Sequence, residues 1–256
     1  MDTREYTRLA EHEEWYWWHR AREMIVHRVL ARHAPADARI LDVGCGTGAT
    51  TASLRAFGSL LGLDISSEAL GRAHERNLLV ARSSAVQLPV PPGTFDVVVA
   101  LDLLEHTDDD VAAAAEIRAA LAPGGLLLAT VPAYPFLWSR HDIALEHRRR
   151  YTRRQLRDVL ERGGFEVELC SYVMSAILPA AMAVRLAERL RPRTQPPAES
   201  GYVPLPSLLN SLLTHLVGLD GYLVRWLNLP FGLSVLALAR QPPLEAGRSG
   251  GSGARS

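Results

Sequence analysis

Residues 42–48 read Asp42-Val-Gly44-Cys-Gly46-Thr-Gly48, three glycines at alternate positions directly after an apolar run. Glycine lets a chain turn tightly and lets a ligand approach the backbone without meeting a Cβ. A helix N-terminus beyond such a turn suits a carboxylate or phosphate. Dinucleotide enzymes space these glycines as G-x-G-x-x-G, whereas position 49 here is Ala. Asp64 follows in Gly62-Leu63-Asp64-Ile65, at the expected end of the next strand. A carboxylate there accepts hydrogen bonds from two ribose hydroxyls, each worth about 1.5–3 kcal/mol because the acceptor is charged. Any nucleoside ligand would use it; the bland alternative is a solvated loop acid.

Imidazoles titrate near neutral pH and are natural proton acceptors. His106 ends an apolar run, where ligand-handling groups gather in open α/β sheets. His141 has an acid beside it, Asp142, that would orient or charge it, and His147 is a third candidate. A structural role competes with catalysis at each. The His141, Asp142, His147 spacing offers neither a closed ligand set nor zinc-type spacing, so no metal is expected. The run Arg148–Arg150 could grip a phosphate; a solvated turn ahead of a helix is preferred. Cys45 and Cys170 are too few for a disulfide framework, which fits a reducing cytoplasm.

Strands and helices must alternate to place these groups. Residues 38–44, 59–65, 78–82, 95–101, 126–131 and 165–173 read as strands, and residues 232–239 as a last one. Helices are expected over 48–57, over 67–77, after Asp108 up to the stop Pro123-Gly124-Gly125, and from Thr152, where Thr152 and Gln155 form a capping box. This pattern predicts an α/β, Rossmann-like, mostly parallel seven-stranded sheet with helices on both faces. The last strand is expected to run antiparallel beside 165–173. Residues 1–34 form a helical cap with an aromatic knot at Trp15–Trp18, and 35–173 the core. Residues 174–231 are a helical insertion, 232–241 the final core strand, and 242–256 a Gly/Ser/Pro-rich tail expected to be disordered.

The insertion holds a short apolar helix, a Pro-rich linker at 191–206, and one amphipathic helix. Its stripe is Leu208, Leu209, Leu212, Leu213, Leu216, Leu219, Leu223, Trp226 and Leu227, weakened by Gly218 and Gly221. A stripe of that kind is expected to be buried, as a hydrophobic lid or a dimer contact. Peripheral membrane contact is the competing reading; it is not favoured because Arg225 is the only nearby base.

The segments 40–48 (ILDVGCGTG), 62–66 (GLDIS), 88–106 (LPVPPGTFDVVVALDLLEH) and 121–132 (LAPGGLLLATVP) together resemble the class I methyltransferases that use S-adenosyl-L-methionine (SAM), in the branch similar to ubiquinone-biosynthesis O-methyltransferases. The resemblance covers residues 38–173. It implies that Gly44, Gly46 and Gly48 face the methionine part of SAM, with Asp42 opening the same motif and Asp64 on the ribose. It also implies that Ile65 packs on the adenine, Ser84 and Ala85 lie by the adenine edge, and Leu101 lines the site. The blocks 138–142 and 147–151, the aromatic knot and 229–234 resemble a recurring bacterial subgroup of the same family. An Arg-only, Ala-rich composition agrees with a GC-rich bacterial source.

Methyl transfer needs nucleophile, methyl and sulfur in line, water excluded, and often a base. The expected base is His141, with His106 and Asp142 as further catalytic candidates. No Asn-Pro-Pro-Tyr motif follows residues 95–101, which favours oxygen as the accepting atom and a small-molecule, apolar or lipid-like acceptor. A formal net charge of zero gives no general attraction to nucleic acid. A monomer or homodimer is expected. Two other readings remain at this point: a catalytically silent SAM-fold binding module, and a nicotinamide-dependent oxidoreductase.

Overall fold

A computed structural model describes residues 3–190, 202–224 and 226–243. Most of the tail expected to be disordered and most of the Pro-rich linker lie outside these residues.

Seven strands form one sheet in the order β3-β2-β1-β4-β5-β7-β6. They are β1 (Ala38–Val43), β2 (Gly58–Asp64), β3 (Val80–Arg82), β4 (Phe95–Leu101), β5 (Leu121–Pro132), β6 (Glu166–Val173) and β7 (Ser234–Arg240). All pairings are parallel except those of β7, which runs antiparallel to both β5 and β6. The predicted fold class and the reversed last strand are both found. The central strands read as near-continuous apolar runs because a parallel sheet is covered on both faces. In β4 every residue but Asp96 is buried, and in β7 every residue but Arg240. The sheet reverses between β1 and β4, so the carboxyl ends of these two strands flank a crevice.

The helices around the sheet are α3 (Ala49–Ser53), α4 (Ser67–Glu75), α5 (Asp110–Ala120), α6 (Arg140–Ala144) and α7 (Arg153–Arg162). The capping box at Thr152 and Gln155 is present at the start of α7. The helix expected over 48–57 is shorter: α3 gives way to a 3-10 turn at Leu54–Phe57. The N-terminal cap is two helices, α1 (Thr3–His12) and α2 (Trp17–His33), with the chain extended at Tyr16 between them.

The insertion departs most from expectation. It comprises α8 (Leu178–Leu190), α9 (Ser207–Gly218) and α10 (Asp220–Leu223), so the single long helix is broken at Leu219. Its leucine stripe faces outward except at Leu213, which packs against the core. Leu208, Leu209, Leu212, Leu216, Leu219, Leu223, Trp226 and Leu227 are all exposed, while Thr214, Val217, Gly218, Asp220, Gly221 and Val224 are buried. The reason is close packing on α2. A Cβ on Gly221 would stand 2.9 Å from the Ile25 Cα, and one on Gly218 would stand 3.1 Å from the Met24 Cε. Only small residues admit that approach, so the glycines set which face turns inward. Arg28 then donates to the Gly218 carbonyl and lies 3.9 Å from the centroid of the Tyr222 ring. No described helix is long and apolar enough to cross a membrane.

Candidate functional site

The glycine turn leaves β1 and meets β2 from above. Gly44 N and Cys45 N both donate to the Leu63 carbonyl, at 2.7 and 3.0 Å. Gly44, Gly46 and Gly48 all have positive φ, a conformation that disfavours a Cβ. Their surroundings differ. A Cβ on Gly44 would meet Leu103 at 2.9 Å, and one on Gly48 would meet Leu78 at 2.6 Å. A Cβ on Gly46 would meet nothing within 4 Å. Gly44 and Gly48 are thus glycines for packing, and Gly46 alone opens on free space.

Asp64 ends β2 and closes the turn. Its Oδ2 accepts from Gly46 N at 2.9 Å and its Oδ1 from Ser66 N at 2.8 Å. Each carboxylate oxygen has a second acceptor position, so a diol can still be bound. Asp42 lies deeper, buried under Thr51, whose hydroxyl donates to Asp42 Oδ2 at 2.5 Å. Burial pushes its carboxyl up to about 6 against that hydrogen bond. Asp42 therefore ties the turn to α3. Ile65, next to Asp64, is 63% exposed, an apolar side chain standing at the mouth of the site. Ser84 and Ala85 are half-buried on the loop after β3, and Leu101 is buried at the end of β4.

The N-terminal cap lies over this turn, which sequence reasoning missed. The Thr47 hydroxyl donates to Glu13 Oε2 at 2.5 Å, and Arg76 bonds both Glu13 and the Thr47 carbonyl. Tyr6 hydrogen-bonds Ser66 and feels the charge of Asp64, and burial chiefly raises its phenol. Arg22, on α2, donates to Asp102 Oδ2 at 2.6 Å just beyond β4. Trp17 N donates to Asn210 Oδ1, Asn210 Nδ2 donates to the Trp15 carbonyl, and Tyr202 stacks on His12. The aromatic knot thus joins the cap to the insertion.

The histidines gather past β4. His106 closes the 3-10 turn Leu104–His106, and its ring stands edge-on to that of His147, with centroids 4.8 Å apart. Burial lowers His106 to about 4, helped by the charge of His147. Burial also lowers His141 to about 4, against the pull of Asp142. Both rings are neutral at pH 7.

Asp142 is not free for chemistry. It is fully buried, caps α6 with Ser139, accepts from Arg150 Nε at 2.6 Å and bonds His147 Nδ1 at 3.0 Å. The three arginines each have an acid partner: Arg148 pairs with Asp108 at the surface, Arg149 with Asp110 and Arg150 with the buried Asp142. They clasp the loop after β4 to the start of α7, with Arg150 buried and Arg148 half-exposed, so the turn is solvated on one side and each guanidinium is already paired. Glu105, unremarked in the sequence, is wholly buried. Its only signal there is its place beside His106.

Over residues 16–169 the chain matches the family described as "Methyltransferase domain". It belongs to that family. The domain is that of a SAM-dependent methyltransferase enzyme of class I, and SAM is the cofactor of such a domain. Over 173 residues the chain is 30% identical to the Mycolicibacterium smegmatis protein named "Probable S-adenosylmethionine-dependent methyltransferase", covering 62% of each chain. It is 35% identical over 105 residues to a ubiquinone biosynthesis O-methyltransferase of Methylococcus capsulatus, covering 38% of this chain and 44% of that one. The chain thus spans less than two thirds of the curated relatives it matches. An Archaeoglobus fulgidus SAM-dependent methyltransferase shares the fold at a TM-score of 0.57 and 15% identity, over 86% of this chain and 94% of that one. The family sets aside the oxidoreductase reading.

Proposed function

We propose that the protein transfers the methyl group of SAM to an oxygen of a small, largely apolar acceptor. The observation that carries this is an open glycine turn closed by Asp64 in a chain that also holds the neutral rings of His106 and His141. SAM supplies a methyl already activated by its sulfonium. Gly46 gives it backbone room, Asp64 takes the ribose hydroxyls, and Ile65 covers the adenine. Ser84 and Ala85 border that ring, and Leu101 with Asp42 and the packed Gly44 and Gly48 hold the turn in shape.

On the acceptor side His141 is neutral at pH 7 and takes the hydroxyl proton. Asp142 orients His147 and is a positioning residue. The insertion borders this side through Tyr202, whose hydroxyl bonds His19 Nε2 at 3.0 Å and which lies within the field of Arg22. The ubiquinone-related relatives support oxygen as the accepting atom.

The test is turnover of isotopically methyl-labelled SAM with a panel of phenols, alcohols, amines and thiols. The expected outcome is label in methyl ethers, matched one to one by S-adenosylhomocysteine. Label in methylated amines or thiols instead would overturn the oxygen reading.

A further inference from the structure

Glu105 has a carboxylate that no described group satisfies. It is fully buried, and neither Oε1 nor Oε2 has a hydrogen-bond partner. Leaving such a group unpaired is costly, so a buried orphan points to a missing partner. What faces it are imidazoles. His147 Nε2 lies 4.0 Å from Glu105 Oε1, and the His106 ring stands edge-on to that of His147. One ligand atom from each of Glu105, His106 and His147 falls within 4.8 Å of the others.

The ring of His147 is held as a metal ligand needs it. Its Nδ1 bonds Asp142 Oδ1, and a carboxylate accepts only, so Nδ1 is the donor to Asp142 and Nε2, 4.0 Å from Glu105 Oε1, is the nitrogen left to take an ion. Asp142 is itself held by Arg150 and by the Ser139 hydroxyl. A ligating histidine backed by an anchored carboxylate is the usual outer shell of a metal site.

We propose that Glu105, His106 and His147 bind one divalent transition-metal ion of the zinc, cobalt or iron(II) class. Two imidazoles and one carboxylate suit these ions, whereas magnesium and calcium prefer all-oxygen sets. Three protein ligands leave a coordination position open. Ligands about 2.0–2.2 Å from a tetrahedral ion stand about 3.4 Å apart, so the side chains close in by about 1 Å on binding. Asp102 and His141 border the trio, so the open position takes a hydroxyl or enolate oxygen and lowers its pKa. That role rests on the oxygen reading above; the ion site does not.

The experiment uses the full chain without an affinity tag, stripped with chelator, with no SAM or acceptor present. Cobalt(II) is titrated and followed by its visible absorption, and thermal midpoints are read with and without zinc(II). One cobalt per chain is expected, with a midpoint raised by roughly 5–10 °C at about one hundred times Kd. Glu105→Gln and His106→Gln should each weaken binding at least tenfold and abolish that rise. Glu105→Gln keeps the shape and takes away an unpaired, buried ionisable group, so its metal-free midpoint is expected to match or exceed the wild type. Absence of stoichiometric cobalt binding, or binding that survives both substitutions, overturns the proposal.

Discussion

Asp142 is next to His141 in sequence, yet its carboxylate bonds His147, Arg150 and Ser139 instead. Burial would raise its carboxyl, and the bonds from His147 and Arg150 outweigh burial and hold it below the ordinary range. Asp142→Ala strands a guanidinium that is only 9% exposed, which predicts a loss of about 3–5 kcal/mol in chemical denaturation. A side chain needed only for catalysis would leave stability unchanged. The sign with pH follows from linkage. A depressed carboxyl stabilises the fold above its unfolded pKa of about 3.9, and that contribution is lost as pH falls through the folded value. The gap between wild type and Asp142→Ala should therefore narrow below about pH 4. At this scale Gly46 and Asp64 were legible because a turn and a diol site constrain residue type directly. Glu105 was not, since nothing in the run Leu101–His106 tells which way a 3-10 turn aims its acid.

Among the elements, α7 was readable from its own ends, because the Thr152 and Gln155 box is a local contact. The break at Tyr16 between α1 and α2 and the break at Leu219 between α9 and α10 were not. Within the chain, the face of α9 and α10 that packs on α2 is the glycine face and not the leucine stripe, which leaves the stripe outward as a dimer contact would have it. A leucine stripe predicts burial only if the partner surface leaves room for leucine, and α2 presents Met24, Ile25 and Arg28 at close range. Two substitutions separate the faces. Gly221→Val pushes a branched side chain into the Ile25 backbone and should cost about 1–3 kcal/mol. Leu212→Glu with Leu216→Glu, on the exposed face, should change stability by no more than about 0.5 kcal/mol per site. Thermal or chemical denaturation reads both. A large loss in the leucine double variant with none at Gly221 would reverse the assignment.

For the whole molecule, the alternation of apolar strands with helices carries the mostly parallel sheet, and the antiparallel pairing of β7 between β5 and β6 survives an insertion of nearly sixty residues. Closure over the cofactor turn does not follow from order. It depends on Glu13 reaching Thr47 and Arg76, and on Tyr6 reaching Ser66, contacts across long sequence separations that no periodicity reveals. The central claim is that Gly46 and Asp64 bind SAM. Calorimetric titration of the wild type, Asp64→Ala and Gly46→Val with SAM and S-adenosylhomocysteine tests it most directly. Wild type should bind one ligand per chain. Asp64→Ala should bind weaker by about 2–4 kcal/mol from the lost charge-assisted bonds. Gly46→Val should not bind measurably, while circular dichroism shows the domain still folded. Wild-type affinity in both variants, or no binding by the wild type, would contradict the account.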